Sequence, residues 1–106
     1  MLPAPEEEQA PEQISLFILY INTLIDLERW SDWSRVQARI RKFLKSITDE
    51  EDRLMIVASL TDEHDAWFEA GFFRAAEMFI DLAYYIDSKN PQLQRQRRET
   101  QDMMHV

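Results

Sequence analysis

Two histidines, His64 and His105, and a scatter of serines are the residues of this 106-residue chain to test first for nucleophilic or proton-transfer chemistry; cysteine is absent. A hydroxyl becomes a nucleophile when an oriented base lies within hydrogen-bond reach. Ser31, Ser34 and Ser59 fall at expected helix edges, with no glycine elbow beside them and no base at readable spacing. His64 falls in an expected first helical turn, where it reads as an ordinary polar residue. For metal chemistry, Glu77 and Asp81 are four apart, and Asp62, Glu63, His64 and Asp65 crowd one turn. A di-iron bundle needs Glu-x-x-His pairs on facing helices, and the chain has none; Asp102-x-x-His105 lies in a loose polar tail. Arg74 can pair with Glu77 three residues on, which reads as a solvated face. No enzyme, metal or cofactor is expected.

The charges form alternating blocks. Residues 33–48 carry +5 without an acid, and residues 49–90 carry −8, the same as the whole chain. The basic block is Arg35, Arg39, Arg41, Lys42 and Lys45. It lacks a DNA-binding fold signature and interleaved aromatics, so it is expected to face carboxylates rather than nucleic acid. The acidic clusters are Asp49, Glu50, Glu51 and Asp52, then Asp62, Glu63 and Asp65. Acids in a first turn complement the helix dipole, which is the preferred reading of the residues themselves. The other reading is an acidic surface that imitates a nucleic-acid backbone. Trp30, Trp33, Trp67, Tyr84 and Tyr85 lie at helix ends or off the main stripes, and such residues are enriched at interface hot spots.

Alanine-, leucine- and glutamate-rich composition with one glycine predicts an all-α fold, a small four-helix bundle over residues 14–88. Residues 1–13, rich in proline and glutamate, read as a disordered acidic arm without the pattern of a secretory signal. Residues 89–106 read as a polar tail or frayed helix, opened by Asn90 as cap and Pro91 at the first position. The longest uninterrupted apolar run, Leu16 to Ile21, is too short for a membrane span, and a cytoplasmic location is expected. Helix one (about 12–29) carries one stripe of Ile14, Phe17, Ile18, Ile21, Leu24 and Ile25. A second apolar line, Leu16, Leu19, Tyr20 and Leu27, lies on its other side. A helix apolar on most sides must be covered on more than one face, by the other helices or by a second copy.

Ser31 is the expected cap of helix two (about 32–46), with Val36, Ile40, Phe43, Leu44 and Ile47 inward. "TDEE" at 48–51 matches a capping box with Thr48 as cap. The near repeat "LTDEHD" at 60–65 suggests a further start. Helix three then covers about 49–59 and helix four about 62–87; one bent helix over 49–87 is the alternative. Gly71 falls inside helix four, where glycine costs about 1 kcal/mol relative to alanine. With Ala75 one turn later, it predicts a tight helix crossing.

Asp65-x-x-Phe68-x-x-Gly71-Phe72, followed by small Ala75, resembles a family of small helical proteins of Firmicutes and their mobile elements. An early Leu19-Tyr20 pair and a middle helix running into an acidic turn match as well, over residues 16 to 86. Trp30, Trp33 and Trp67 depart from that pattern, and Ala75 stands where glycine is usual. The resemblance implies a helical fold and no chemistry.

These features together predict a non-enzymatic protein–protein interaction protein, expected as a homodimer. The specific expectation is a phage- or mobile-element-type inhibitor of a nucleic-acid-binding host enzyme such as a defence nuclease. The alternative is a structural or regulatory helical adaptor that dimerises and docks a partner helix.

Overall fold

The computed structural model describes the backbone of residues 5–105 and the side chains of residues 12–105. Among the described residues, five α-helices and one 3₁₀ turn follow in order. They are α1 (Pro5–Asp26), the turn (Trp30–Asp32), α2 (Trp33–Ser46), α3 (Glu50–Glu69), α4 (Phe73–Ile86) and α5 (Pro91–Met104). No strand occurs among the described residues, so the fold is all-α. The helices number five rather than four because the segment after Asp87 is itself a packed helix. Of the acidic arm expected over 1–13, residues 1–4 lie outside the described residues, and α1 begins at Pro5. The chain divides into two compact units, Met1–Ile56 and Val57–Val106.

In the first unit α1 buries Ile14, Ile21, Leu24 and Ile25, and α2 buries Val36, Ile40 and Leu44. These are the inward stripes that helical spacing predicts. Each such side chain contributes about 1.5–3 kcal/mol when fully removed from water. Phe17 and Phe43, with ring centroids 5.1 Å apart, join α1 to α2. α1 stops through Glu28, which takes a left-handed backbone conformation (φ 54°). The Arg29 N–H donates to the Leu24 carbonyl at 2.9 Å and the Glu28 N–H to the Ile25 carbonyl at 3.1 Å, the pair of bonds that closes a Schellman helix end. Ser31 sits inside the 3₁₀ turn and does not cap α2. The preceding residue is Asp32, whose carboxylate makes no cap bond and instead pairs with Arg29 at 2.8 Å and Arg35 at 3.4 Å. The cap of α3 is Asp49, not Thr48: its Oδ1 accepts from the Asp52 N–H at 3.0 Å. An ionised side chain is the better acceptor for an N-terminal amide.

In the second unit α3 continues unbroken through "LTDEHD", so no helix starts near Asp62. The Thr61 hydroxyl donates back to the Ala58 carbonyl at 3.0 Å and caps nothing. The break falls at Gly71. This glycine has φ 86°, the Phe72 N–H donates to the Trp67 carbonyl at 2.9 Å, and the Gly71 N–H donates to the Phe68 carbonyl at 3.0 Å. Those are again the bonds of a Schellman end, completed by an edge-on contact of Trp67 and Phe72 at 5.6 Å between ring centroids. The expected tight crossing at Gly71 and Ala75 is therefore corrected. Gly71 is exposed, and a Cβ built on it meets nothing within 4 Å. Its role is conformational, since glycine reaches positive φ without steric cost. Ala75 belongs to the following helix, where it is buried with Ala76, Met78, Phe79, Ile80, Leu82 and Ala83. The split at Gly71 also replaces the alternative of one bent helix over 49–87.

α5 starts as the sequence predicts. Asn90 Oδ1 accepts from the Gln92 N–H at 2.9 Å, with Pro91 in the first turn. It is no frayed tail, however: it packs along α4 and buries Leu93 and Thr100, two turns apart on one face.

Candidate functional site

The second apolar line of α1 stays open. Leu16, Leu19 and Leu27 are 60%, 64% and 62% exposed, and Tyr20 is half exposed. At helical spacing these four fall on one narrow strip, with Thr23 between Tyr20 and Leu27. The Thr23 hydroxyl donates to the Leu19 carbonyl at 2.9 Å, so its polar end is satisfied by its own helix. Scattered exposed leucines are ordinary on a protein surface. Leu16, Leu19 and Tyr20 on α1, with Leu27 one residue past its end, form an apolar strip, which is how interaction surfaces present themselves. The inward stripe of the same helix is buried, and the two apolar sets follow from one sequence segment read at 100° per residue.

The acidic residues fall at two places along the sequence of α3. Asp49 is the cap of α3, while Glu50 and Glu51 beside it are exposed and Asp52 is half-buried. Asp62 and Asp65 are exposed one turn apart in the middle of α3, and Glu63 is half-buried. On α2, Arg35, Arg39, Lys42 and Lys45 are exposed and Arg41 is half-buried. Arg35 is tied to Asp32. Among the described residues no ion pair is formed by Arg39, Lys42 or Lys45.

All five singled-out aromatics are half-buried. Trp67 closes the α3 end against Phe72. The Arg97 guanidinium lies 4.7 Å over the Tyr84 ring, a cation–π contact between α5 and α4. Trp30 and Trp33 bracket the junction of the 3₁₀ turn and α2, and Tyr85 lies near the end of α4. Trp67 and Tyr84 thus act within the chain.

A polar cluster in the second unit was not legible at the outset. His64, expected as a first-turn polar residue, is buried in the interior of α3. Its Nε2 lies 2.7 Å from Thr100 Oγ1, and its Nδ1 lies 2.9 Å from Asp65 Oδ1. The Thr100 hydroxyl donates to the Gln96 carbonyl at 2.7 Å, and the Gln96 amide donates to Asp65 at 3.3 Å. The Phe68 ring covers the imidazole at 5.5 Å. Hydroxyl, imidazole and carboxylate follow one another in the order used by hydrolytic triads. Thr100, though, has no exposed surface, so the hydroxyl meets α3 and its own helix rather than a substrate. What the arrangement does is lock α5 to α3.

Beside it, the Asp81 carboxylate accepts from Arg97 Nε at 2.9 Å. The carboxyl of Glu77 is held above the ordinary glutamate range. Burial is the main cause and repulsion from Asp81 the next, with Arg97, His105 and Arg74 acting in the opposite sense. Among the described residues no group of three His, Asp or Glu side chains converges as a metal site requires. Among them also, no helix is long and apolar enough to cross a membrane. No family model matches the chain, nor does any curated protein or solved structure.

Proposed function

We propose that this is a non-enzymatic interaction protein whose docking surface is the outer strip of α1, acting as a helical adaptor for a partner helix. The observation that carries this reading is the exposure of Leu16, Leu19 and Tyr20 on a helix whose opposite stripe is buried, continued by exposed Leu27 one residue past the helix end. A partner helix that lays its own apolar face along this strip gains about 1–2 kcal/mol for each leucine it covers. Such docking depends little on ionic strength.

The test is capture with the full chain and with Leu19→Glu, side by side, at low and high salt. The expected result is a partner retained by the unaltered chain at both salt levels and lost with Leu19→Glu. A partner that leaves at high salt and ignores Leu19→Glu would overturn the reading.

A second reading has its own supporting observation. Glu50 and Glu51 are exposed, beside an Asp49 side chain that already accepts from the Asp52 N–H. This suits an acidic inhibitor of the phage or mobile-element type, occupying the basic channel of a nucleic-acid-binding host enzyme such as a defence nuclease. Its signature is steep loss of binding with salt and with charge neutralisation at Glu50 and Glu51.

A further inference from the structure

We infer that the outer side of α2 docks an acidic helix of another protein, whose carboxylates lie along Arg35, Arg39, Lys42 and Lys45. This surface is on a different helix from the outer strip of α1 and does not depend on it.

Three observations carry the assignment. The first is the make-up of the surface. Apart from Ser34, Ala38 and Ser46, every exposed residue of α2 is one of those four cations, and the Ser46 hydroxyl is spent on the Phe43 carbonyl of its own helix at 2.6 Å. The second is that the chain supplies little counter-charge. Acids begin at Asp49, four residues beyond Lys45, yet among the described residues Arg39, Lys42 and Lys45 form no ion pair. Arg35 alone of the four has a partner, Asp32 at 3.4 Å. Like charges three and four residues apart repel along a helix, a cost that carboxylates from outside offset. The third is pitch. Arg35, Arg39 and Lys42 stand in a column with Lys45 at its margin, a row about 15 Å long. Acids at three- and four-residue spacing on a partner helix repeat at the same rise, so one face of about three turns meets the whole row.

The surroundings narrow the occupant to a protein. Acids flank the row in sequence, Glu28 and Asp32 before it and Asp49 to Asp52 after it, and the whole chain carries −8. A duplex, with one charge per about 1.7 Å of its axis, runs past the row into that acidic field, and a short helix does not. α2 has no exposed aromatic for a single strand to stack on. Its apolar side, Val36, Ile40 and Leu44, is buried and so is not free to enter a bilayer.

The test titrates the full chain at low salt with an alanine-based helical peptide bearing glutamates at three- and four-residue spacing, beside short duplex DNA and phosphatidylserine vesicles. Arg39→Gln/Lys42→Gln/Lys45→Gln removes the row, and Arg95→Gln/Arg98→Gln removes two exposed cations of α5 as a control for net charge. The peptide is expected to bind, less tightly as salt rises. It is expected to bind about tenfold more weakly to the triple variant, the yield of three exposed ion pairs, and at nearly full strength to the α5 variant. Circular dichroism checks that each variant is folded. Lys42→Gln alone, expected to weaken binding about threefold, replaces the triple variant if that one does not fold. No binding of the peptide to the unaltered chain overturns the proposal, as does equal loss in the row and α5 variants. Tighter binding of the duplex or the vesicles than of the peptide, lost with the row, means that α2 reads phosphates and also overturns it.

Discussion

The imidazole of His64 and the hydroxyl of Thr100 meet at 2.7 Å across thirty-six residues of chain, and neither side chain is open to solvent. A buried nitrogen that loses its partner costs about 1–3 kcal/mol. Thr100→Val keeps the shape and removes the hydroxyl, so it is expected to destabilise the chain by about that amount. Thr100→Ser keeps the bond and removes one methyl, at about 1 kcal/mol. Denaturant unfolding of both variants, with hydrogen exchange on α5 amides, checks this. A valine variant as stable as the parent would mean that the bond contributes nothing.

Gly71 gives the second prediction. Its positive φ penalises any side chain by about 1 kcal/mol, and the space around it is empty. Gly71→Ala and Gly71→Leu are therefore expected to lose similar stability. A leucine variant several kcal/mol worse than alanine would reveal a close neighbour and restore the crossing argument.

The helix end at Glu28 makes the same bonds without a glycine. Glu28→Gly relieves the left-handed strain, partly offset by the greater freedom of glycine in the unfolded chain. A net gain of about 0.5–1 kcal/mol is expected, measured as a rise in the unfolding midpoint. A loss would show that the Glu28 side chain makes a compensating interaction.

At the start of α3, Asp49 and Thr48 compete for the cap. Asp49→Ala is expected to cost about 1 kcal/mol and Thr48→Ala only a few tenths. The reverse order in thermal melts would return the cap to Thr48.

Glu77 sets a pH dependence. Its folded carboxyl holds a proton more tightly than the unfolded chain does. The stability this lends is complete below the ordinary glutamate value of about 4.3 and is lost as pH rises through the raised value. At neutral pH the charged side chain is thus a net cost, chiefly of burial. Glu77→Gln is expected to melt above the parent at pH 7 and level with it in acid. A variant that melts lower at pH 7 would mean that the arginines outweigh burial.

The helices with strong periodic stripes were legible in the sequence. Ile14, Ile21, Val36 and Ile40 are inward where spacing places them, and Asn90–Pro91 opens α5 as its local chemistry dictates. Other features depend on interactions that no local pattern expresses. Phe68, Phe72, Ala75 and Phe79 keep helical spacing across Gly71, so the break hides inside an unbroken pattern. "LTDEHD" has the composition of a helix start, yet α3 passes through it because Leu60 and His64 are inward on the same face. Thr100 does not register as a core residue in a helix of glutamines and arginines, and its partner lies far off in sequence. The outer strip of α1 was readable as a strip; which surface covers it is decided by packing between elements.

The bond between His64 and Thr100 also has a consequence for synthesis. α3 emerges from the ribosome well before α5, so a nascent chain that extends only through α4 holds the imidazole without its threonine. Until Thr100 emerges, the second unit lacks that contribution of about 1–3 kcal/mol as well as the cover that α5 gives α4, so its full stability is reached only when the last helix has left the ribosome.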